Sequence, residues 1–346
     1  MASDLIGVSG LRVSFASDAG IARVLDGVDL SIEAGEIKGL VGESGCGKTT
    51  LARAILGILP KDAARIAAGT IHFQGQDLLR LPEAALARDI RGTEITYIPQ
   101  DPSTAFNPVF TIGTQITDLM RFKSPDLRGS GMVRPSGLLG RYPKARRAAD
   151  RARVLDLLRL VQLPNPEAVL EKYPHEVSGG QRQRLMIAMA LLPEPKLVIA
   201  DEPTTALDVT VQAQILKLLR QLARERGVAV LFTTHDLGAA YEICDRITVM
   251  YAGQEVEEAP VAGFFARPSH PYTAKLLASL PSAQTGIQGI PGEIPRLVDP
   301  PPGCRFHPRC DRASQVCRSD RPAPSMVDAT HSVRCHHALH TATAPA

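Results

Sequence analysis

The chain has 346 residues, which suits two domains of ordinary size or one enlarged domain. Apolar residues make up 44% of the sequence and charged residues 22%, so a substantial core is expected and wholesale disorder is excluded. The 39 Lys and Arg residues against 36 Asp and Glu leave a formal net charge of +3, which is too balanced to predict a surface that coats nucleic acid.

Strand-like and helix-like segments alternate in the first part of the chain, which is the pattern of an α/β domain. Strands are predicted at residues 11–15, 28–32, 37–41, 197–200 and 228–233. The last two are short apolar runs containing β-branched residues, as in a parallel sheet whose faces are both covered. A helix is predicted at residues 49–59, directly after a glycine-rich turn.

The middle of the chain, about residues 102–195, is predicted to be a helical subdomain set into an α/β domain of residues 5–258. Amphipathic helices are predicted at residues 148–161 and 180–192. Between residues 123 and 144 the sequence is rich in Gly, Pro and basic residues, which predicts a loop or a partly disordered insert. From residue 259 onward the Pro content rises, which predicts an irregular C-terminal extension over residues 259–346.

The sequence shows no signal for a membrane span or for secretion. No apolar run approaches the roughly 18 residues of a transmembrane helix. An acidic residue, Asp4, stands at the fourth position, and no apolar segment of the kind found in signal peptides follows it. We therefore expect a cytosolic chain that reaches a membrane only through a partner.

Residues 42–49, with the sequence GESGCGKT, match the phosphate-loop pattern G-x-x-x-x-G-K-[ST] between a predicted strand and a predicted helix. Glycines let backbone N–H groups converge on phosphate oxygens, and the start of a helix adds partial positive charge. Lys48 supplies a point charge for the β- and γ-phosphates, and the Thr49 hydroxyl is suited to bind Mg²⁺. The candidate ATP contacts are Gly42, Glu43, Ser44, Gly45, Cys46, Gly47, Lys48, Thr49 and Thr50.

The apolar run at residues 197–200 ends in two carboxylates, Asp201 and Glu202. At the carboxyl edge of a parallel sheet, Asp201 is placed to hold Mg²⁺ through water. Glu202 would then lie near the γ-phosphate, where it could act as the general base for an attacking water. Alone, such a pair is usually a solvated turn, but together with the phosphate loop it indicates a site for ATP hydrolysis.

The run VSGGQ at residues 177–181 resembles the signature motif of the ATP-binding cassette (ABC) ATPases, usually written LSGGQ. This resemblance implies a P-loop cassette fold: an α/β protein with a mixed-sheet core, an antiparallel β subdomain and an inserted helical subdomain. It also implies a head-to-tail dimer in which each ATP lies between one subunit's phosphate loop and the other's signature. The residues implied at the site are Ser178, Gly179, Gly180 and Gln181 of the signature, Gln100 of the Q-loop, Asp208 of the D-loop, His235 as the switch histidine and Phe15 stacked on adenine. Gln100 is expected to contact Mg²⁺ together with Thr49 and Asp201.

The resemblance narrows to the ATPase subunits of dipeptide, oligopeptide and nickel importers, on the runs at residues 98–116, 173–192, 270–281 and 291–310. It implies two transmembrane permease subunits, a second and non-identical ABC ATPase and an extracytoplasmic substrate-binding protein as partners, with no nucleic acid. It implies a peripheral place on the cytoplasmic face of the inner membrane. Nickel, opine or oligosaccharide cargo stays open as an alternative to peptides. A cassette ATPase that does not transport is a further alternative.

Four of the six cysteines, Cys304, Cys310, Cys317 and Cys335, lie close together near the end of the chain, with the spacing C-x5-C-x6-C-x17-C. In a reducing cytosol such a group indicates a metal site rather than disulfides. The spacing fits structural zinc poorly, and the family resemblance implies a [4Fe–4S] cluster at these four cysteines. Zinc, with His307 or His336, and four free thiols stay open.

The other two cysteines stand alone in the sequence. Cys46 lies in the phosphate loop near a predicted helix start, a position that favours the thiolate. Alkylation of Cys46 is therefore expected to block ATP binding. Cys244 is predicted to be a small buried apolar residue.

Overall fold

The computed structural model describes residues 4–101, 105–128, 142–204, 209–280 and 289–340. The chain forms two compact units, one of residues 1–81 and 231–346 and the other of residues 82–230. None of the described helices combines the length and the apolar character needed to cross a bilayer. The predicted division at residue 259 stays a prediction.

The strands, in chain order, are β1 (Ile6–Ser17), β2 (Gly20–Ile32), β3 (Ile37–Val41), β4 (Ala64–Phe73), β5 (Gln76–Asp77), β6 (Ile95–Ile98), β7 (Leu197–Asp201), β8 (Ala229–Thr234), β9 (Arg246–Tyr251), β10 (Gln254–Pro260), β11 (Ser325–Met326) and β12 (Ser332–Val333). The helices are α1 (Lys48–Leu56), α2 (Glu83–Ala85), α3 (Ile112–Lys123), α4 (Lys144–Leu160), α5 (Pro166–Leu170), α6 (Gly179–Leu191), α7 (Val209–Arg226), α8 (Leu237–Ile243), α9 (Val261–Ala266), α10 (Pro271–Ala278) and α11 (Gln315–Ser319). Short 3₁₀ turns lie at Leu78–Arg80, Pro125–Leu127, Pro174–Glu176 and His307–Arg309, and a π-helical turn lies at Leu86–Ile90.

The first unit contains an antiparallel sheet in the order β2-β1-β4-β5. It also contains a mixed sheet, in which β3 runs parallel to β9 while β9–β10, β10–β12 and β11–β12 pair antiparallel. Every residue of β3 is buried, as expected for a strand covered on both faces. The strand predictions at residues 11–15, 28–32 and 37–41 are confirmed.

The C-terminal extension is part of the first unit and not only an irregular tail. Its strand β12 pairs with β10 through Glu257 and Val333. His331 Nε2 lies 2.7 Å from Glu257 Oε1, and that buried carboxylate also accepts hydrogen bonds from the N–H groups of Ser269 and His270. A buried carboxylate needs such partners to offset its lost hydration, so Glu257 fastens the extension to β10.

The second unit holds the parallel pair β6–β7, in register from Ile95 opposite Leu197 to Ile98 opposite Ala200. Around this pair the chain is helical, from α3 to α7. The helices predicted at residues 148–161 and 180–192 are α4 and α6, shifted by one to four residues. The strand β8 carries the chain from the second unit back into the first.

Two local features refine the sequence predictions. Helix α1 ends at Leu56, earlier than predicted, because Gly57 adopts a φ of 64° and its N–H returns to Ala54 O. In the segment 123–144, α3 extends to Lys123 and a 3₁₀ turn follows at Pro125–Leu127. Residues 129–141, where most of the predicted insert lies, are outside the described residues.

Candidate nucleotide site

The phosphate loop leaves the end of β3 and leads into α1 in the first unit. Gly42 has a φ of 152°, and a Cβ there would stand 2.2 Å from the carbonyl oxygen of Met250. Gly47 has a φ of 110°, and a Cβ there would meet the carbonyl oxygen of Val24 at 3.0 Å. Both positions therefore require glycine, and the loop is wedged between neighbouring backbone segments. Ser44 and Gly45 at its tip are exposed.

Lys48 opens α1 and turns its side chain back over the loop. Its Nζ donates to Gly42 O at 2.8 Å and to Glu43 O at 3.4 Å, and the residue is only 5% exposed. A cation held among backbone groups at the start of a nine-residue helix suits an anionic ligand. Thr49 and Thr50, the next two residues of the helix, are half-buried.

Cys46 differs from the sequence expectation. The residue is 2% exposed, and burial raises the pKa of its thiol even though Lys48 acts in the opposite direction. The expected preference for the thiolate is therefore wrong, because loss of hydration outweighs the positive charge nearby. Cys244 is buried, as predicted.

The second unit brings three of the predicted site residues together at the end of β7. Asp201 is 2% exposed, and its Oδ2 accepts a hydrogen bond from Tyr97 Oη at 2.9 Å. Gln100 Nε2 donates to Glu202 Oε2 at 3.1 Å. The two carboxylates and the glutamine amide supply the oxygen ligands that Mg²⁺ prefers.

Glu202 has a φ of 46°, in the left-handed region that non-glycine residues rarely adopt. Backbone of this kind costs roughly 1–3 kcal/mol and persists where the surroundings enforce it, often at functional sites. Here it follows directly on the buried strand β7, and it directs the Glu202 side chain toward Gln100.

The signature run begins α6. Ser178 is the N-cap: its Oγ accepts from Gln181 N at 3.3 Å, while Gln181 Oε1 accepts from Ser178 N at 3.0 Å. Val177 is buried, whereas Ser178 and Gly179 are exposed. The start of a 13-residue helix therefore faces solvent at Ser178 and Gly179, which suits an anion brought from outside.

Two further predicted residues lie in the first unit. His235 is exposed directly after β8, and Asp236 behind it caps α8 by accepting from the N–H groups of Gly238 and Ala239. Phe15 is half-buried near the end of β1, opposite Ala22 and Ala64. A half-buried ring flanked by alanines leaves a face for stacking.

The predicted residues thus divide between the units: Phe15, residues 42–50 and His235 in the first, and Gln100, Ser178–Gln181, Asp201 and Glu202 in the second. Asp208 and the rest of the D-loop at residues 205–208 lie outside the described residues.

Two protein-family models match the chain and show which family it belongs to. The model of the ABC transporter family matches residues 25–205, more than half of the chain. The chain belongs to the ABC transporter family. The model of the oligopeptide/dipeptide transporter C-terminal region matches residues 256–317. The protein is therefore an ABC ATPase, as the signature and phosphate-loop motifs predicted.

Curated relatives cover almost the whole length of this ABC ATPase. It is 44% identical to the probable peptide ABC transporter ATP-binding protein y4tR of Sinorhizobium fredii, over 96% of this chain and 94% of the relative. It is 40% identical to the dipeptide transport ATP-binding protein DppD of Escherichia coli, over 99% of both chains.

Solved structures share its cassette fold. The ATP-binding cassette MJ0796, solved as a dimer in a post-hydrolysis state bound to ADP and phosphate, matches with a TM-score of 0.61 and 26% identity over 74% of this chain and 98% of that chain. The cbiO1 protein of Clostridium perfringens, part of the transporter complex cbiONQ, matches with a TM-score of 0.59 and 25% identity over 76% and 91%. The expected α/β cassette fold with a mixed sheet is confirmed.

The expected metal staple at the four late cysteines of this ABC ATPase finds no support in the geometry of the described residues. Burial raises the pKa of Cys335 to about 11, with a further contribution from the charges of the three other thiols. Across the described ranges, no group of three or more His, Cys, Asp or Glu side chains is arranged to hold a metal ion. The rings of His307 and His336 instead contact backbone carbonyl oxygens, at 2.9 and 2.8 Å.

Three residues that contact the predicted site residues were given no role at the site by the sequence. Tyr97 pairs with Ile199 across the β6–β7 register, two residues before Asp201, and that alignment is visible only once the strands are paired. Tyr272 and Arg309 contact the phosphate loop at Glu43 from far along the chain. A sequence pattern detects neighbours in sequence, and these contacts arise only from the fold.

Proposed function

We propose that this chain is the ATP-hydrolysing subunit of an importer for peptides. The observation that carries the proposal is the joint match of the cassette and of the oligopeptide/dipeptide C-terminal region in one chain. Relatives named as peptide or dipeptide transport ATP-binding proteins, similar over nearly the whole length, support it.

The residues of the phosphate loop and of the β7 end fit ATP and Mg²⁺. Backbone N–H groups of residues 42–49 and the Lys48 ammonium would hold the phosphates, while Phe15 would stack on the adenine. Thr49, Gln100 and Asp201 would hold Mg²⁺, whose charge stabilises the triphosphate. Glu202, positioned by Gln100, would accept a proton from the attacking water, and His235 would contact the γ-phosphate.

The exposed start of α6 supports a composite site between two cassettes. Ser178, Gly179 and Gly180 present a hydroxyl and backbone N–H groups suited to phosphate. We propose that a second cassette, not identical to this one, pairs head to tail with this chain, with Asp208 at their interface. ATP would favour the closed pair and hydrolysis the open one.

The remaining partners would be two membrane permeases and an extracytoplasmic binding protein, with this subunit on the cytoplasmic face of the membrane. The cassette would supply energy while the permeases and binding protein select the cargo. Nickel, opine and oligosaccharide cargo are the alternatives within the same proposal.

Uptake by intact cells tests the cargo. Cells whose only copy is the Glu202→Gln variant should lose ATP-driven uptake of a labelled dipeptide, and the wild-type copy should restore it. Unchanged dipeptide uptake together with lost uptake of nickel or an opine would overturn the peptide assignment.

We further propose that Cys304, Cys310, Cys317 and Cys335 bind a [4Fe–4S] cluster, or zinc in its place. Support comes from the donor set, because four thiols interact electrostatically in one part of the first unit and the N–H of His337 donates to Cys335 Sγ at 3.4 Å. Iron, sulfide and zinc analysis of anaerobically purified protein tests this. Absence of all three would leave four free thiols.

A further inference from the structure

Glu43, the second residue of the phosphate loop, is held by two residues from the C-terminal part of the chain. Its backbone N–H donates to Tyr272 Oη at 3.0 Å. Its carboxylate receives two hydrogen bonds from Arg309, from Nη1 to Oε2 at 2.8 Å and from Nη2 to Oε1 at 3.1 Å. Both the backbone and the charge of this loop residue are therefore fixed from outside the loop.

The Arg309 guanidinium has an acceptor for each of its five N–H donors. Besides the two Glu43 oxygens, it donates to Pro291 O at 3.0 Å, to Ile290 O at 3.1 Å and to Tyr251 Oη at 3.3 Å. The residue is 8% exposed. A saturated, buried fork of this kind has one orientation, and the three donors of a lysine could not reproduce it.

Tyr272 is equally constrained. The residue is fully buried at the start of α10, and its ring packs against Tyr251 and Phe306 with centroid distances of 4.6 and 5.4 Å. Phe306 belongs to the C-terminal extension and Tyr251 ends β9. The hydroxyl that accepts the Glu43 N–H is therefore positioned by an aromatic cluster.

The charge of Glu43 is unfavourable where it lies. A carboxylate on a loop that receives a triphosphate repels it, and the repulsion is weakened only when a cation is paired with the carboxylate. Arg309 provides that cation at hydrogen-bonding distance.

We propose that Arg309 and Tyr272 are positioning residues of the phosphate loop, and that through Glu43 the C-terminal part of the chain sets the affinity for ATP. Arg309 cancels the carboxylate's charge, and Tyr272 fixes the backbone at the entrance of the loop. This rests on the proposed function, because it takes residues 42–49 to be the triphosphate site.

Equilibrium titration of the full chain with a fluorescent ATP analogue, at low and high ionic strength, tests the proposal. Arg309→Ala should weaken binding roughly five- to tenfold at low salt and less at high salt, because salt screens the repulsion. Adding Glu43→Gln to Arg309→Ala should restore most of the lost affinity. Tyr272→Phe should weaken binding by an amount that salt does not change, since it removes no charge.

The matched control is Arg318→Ala, which removes the same charge at an exposed position on α11 and should leave affinity unchanged. Wild-type affinity in Arg309→Ala, or a loss that Glu43→Gln does not reduce, would overturn the proposal. Should circular dichroism show that Arg309→Ala does not fold, wild-type affinity in Tyr272→Phe would overturn it instead. Lys48→Ala distinguishes a failure of this proposal from a failure of the proposed ATP site. If this variant binds the ATP analogue as tightly as wild type, the proposed ATP site itself is wrong.

Discussion

The Tyr97 hydroxyl donates to Asp201 Oδ2 at 2.9 Å and so fixes the rotamer of the carboxylate proposed to hold Mg²⁺. A hydrogen bond to a charged group contributes about 1.5–3 kcal/mol when its partner is buried. Asp201 is buried, so its orientation depends strongly on this contact.

Tyr97→Phe should therefore raise the Mg²⁺ concentration that half-saturates ATP hydrolysis roughly tenfold or more, because a loss of about 1.5 kcal/mol or more changes an equilibrium by at least that factor. Mg²⁺ titration of the ATPase rate measures it. Tyr241→Phe, at an exposed tyrosine, serves as the control and should not shift the midpoint. An unshifted midpoint in Tyr97→Phe would contradict the role of Tyr97.

His270 gives the molecule a defined acid sensitivity. Burial lowers its pKa to about 4, and its Nδ1 accepts a hydrogen bond from Tyr272 N at 3.0 Å, which only the neutral ring can do. Because the pKa is lower in the folded state than in the unfolded state, this stabilisation is complete above pH 6.5 and is lost as the pH falls toward 4.

Between pH 7 and pH 5 the loss from His270 should be about 2 kcal/mol of unfolding free energy. His270→Asn keeps an acceptor for the Tyr272 N–H without the titration, so its stability should fall less over the same interval. Urea denaturation at the two pH values compares the proteins. Equal losses in variant and wild type would assign the acid sensitivity to other groups.

At the scale of elements, Asp150 on α4 organises the helical part of the second unit. It is 1% exposed and accepts hydrogen bonds from Ser124 Oγ at 2.7 Å and Tyr142 Oη at 2.8 Å. Arg146 and Arg153 of the same helix flank it at 3.5 and 3.2 Å. This carboxylate thus connects α4 to the end of α3 and to the residue that follows the segment 129–141.

Asp150→Ala should lower the unfolding free energy of the second unit by about 3–5 kcal/mol, because it leaves the buried Arg146 without its counter-ion and the buried Ser124 hydroxyl without its acceptor. Thermal denaturation of the full chain measures the effect. Asp156→Ala removes the same group from an exposed position on the same helix and should cost less than about 1 kcal/mol. Similar losses in both variants would contradict the role of Asp150.

The elements that the sequence predicts are those whose signals lie within a few neighbouring residues. β7 is a continuous apolar run up to Asp201, and β3 is apolar apart from Lys38; both lie next to motifs. Helix α6 starts at a capping box formed by Ser178 and Gln181, which the sequence shows directly. β4 escaped prediction because most of its residues are exposed and show no alternation. β12 is only two residues long and is a strand because it pairs with β10, which a local sequence pattern does not show.

The same division holds for the site. The phosphate loop, the signature and the acidic end of β7 are each a run of consecutive residues, so the sequence alone indicates their chemistry. The burial that raises the pKa of Cys46 and the Arg309–Glu43 ion pair depend on segments far apart in the chain. No spacing rule could have indicated them.

At the scale of the whole molecule, the chain combines a cassette ATPase with a C-terminal region found in peptide transporters. The first unit contains both the phosphate loop and that C-terminal region, and contacts at Glu43 join them. We therefore expect ATP binding in this subunit to respond to changes in the C-terminal region.

Purification of a tagged Glu202→Gln variant, with ATP and Mg²⁺, from detergent-solubilised membranes tests whether this subunit drives a membrane importer. Without the proposed general base the variant should hold the ATP-bound complex, and mass spectrometry identifies the proteins that copurify. Two permeases and a second cassette should copurify with it. Recovery of ribosomes or DNA-repair factors in their place would contradict the transport function while leaving the ATPase assignment intact.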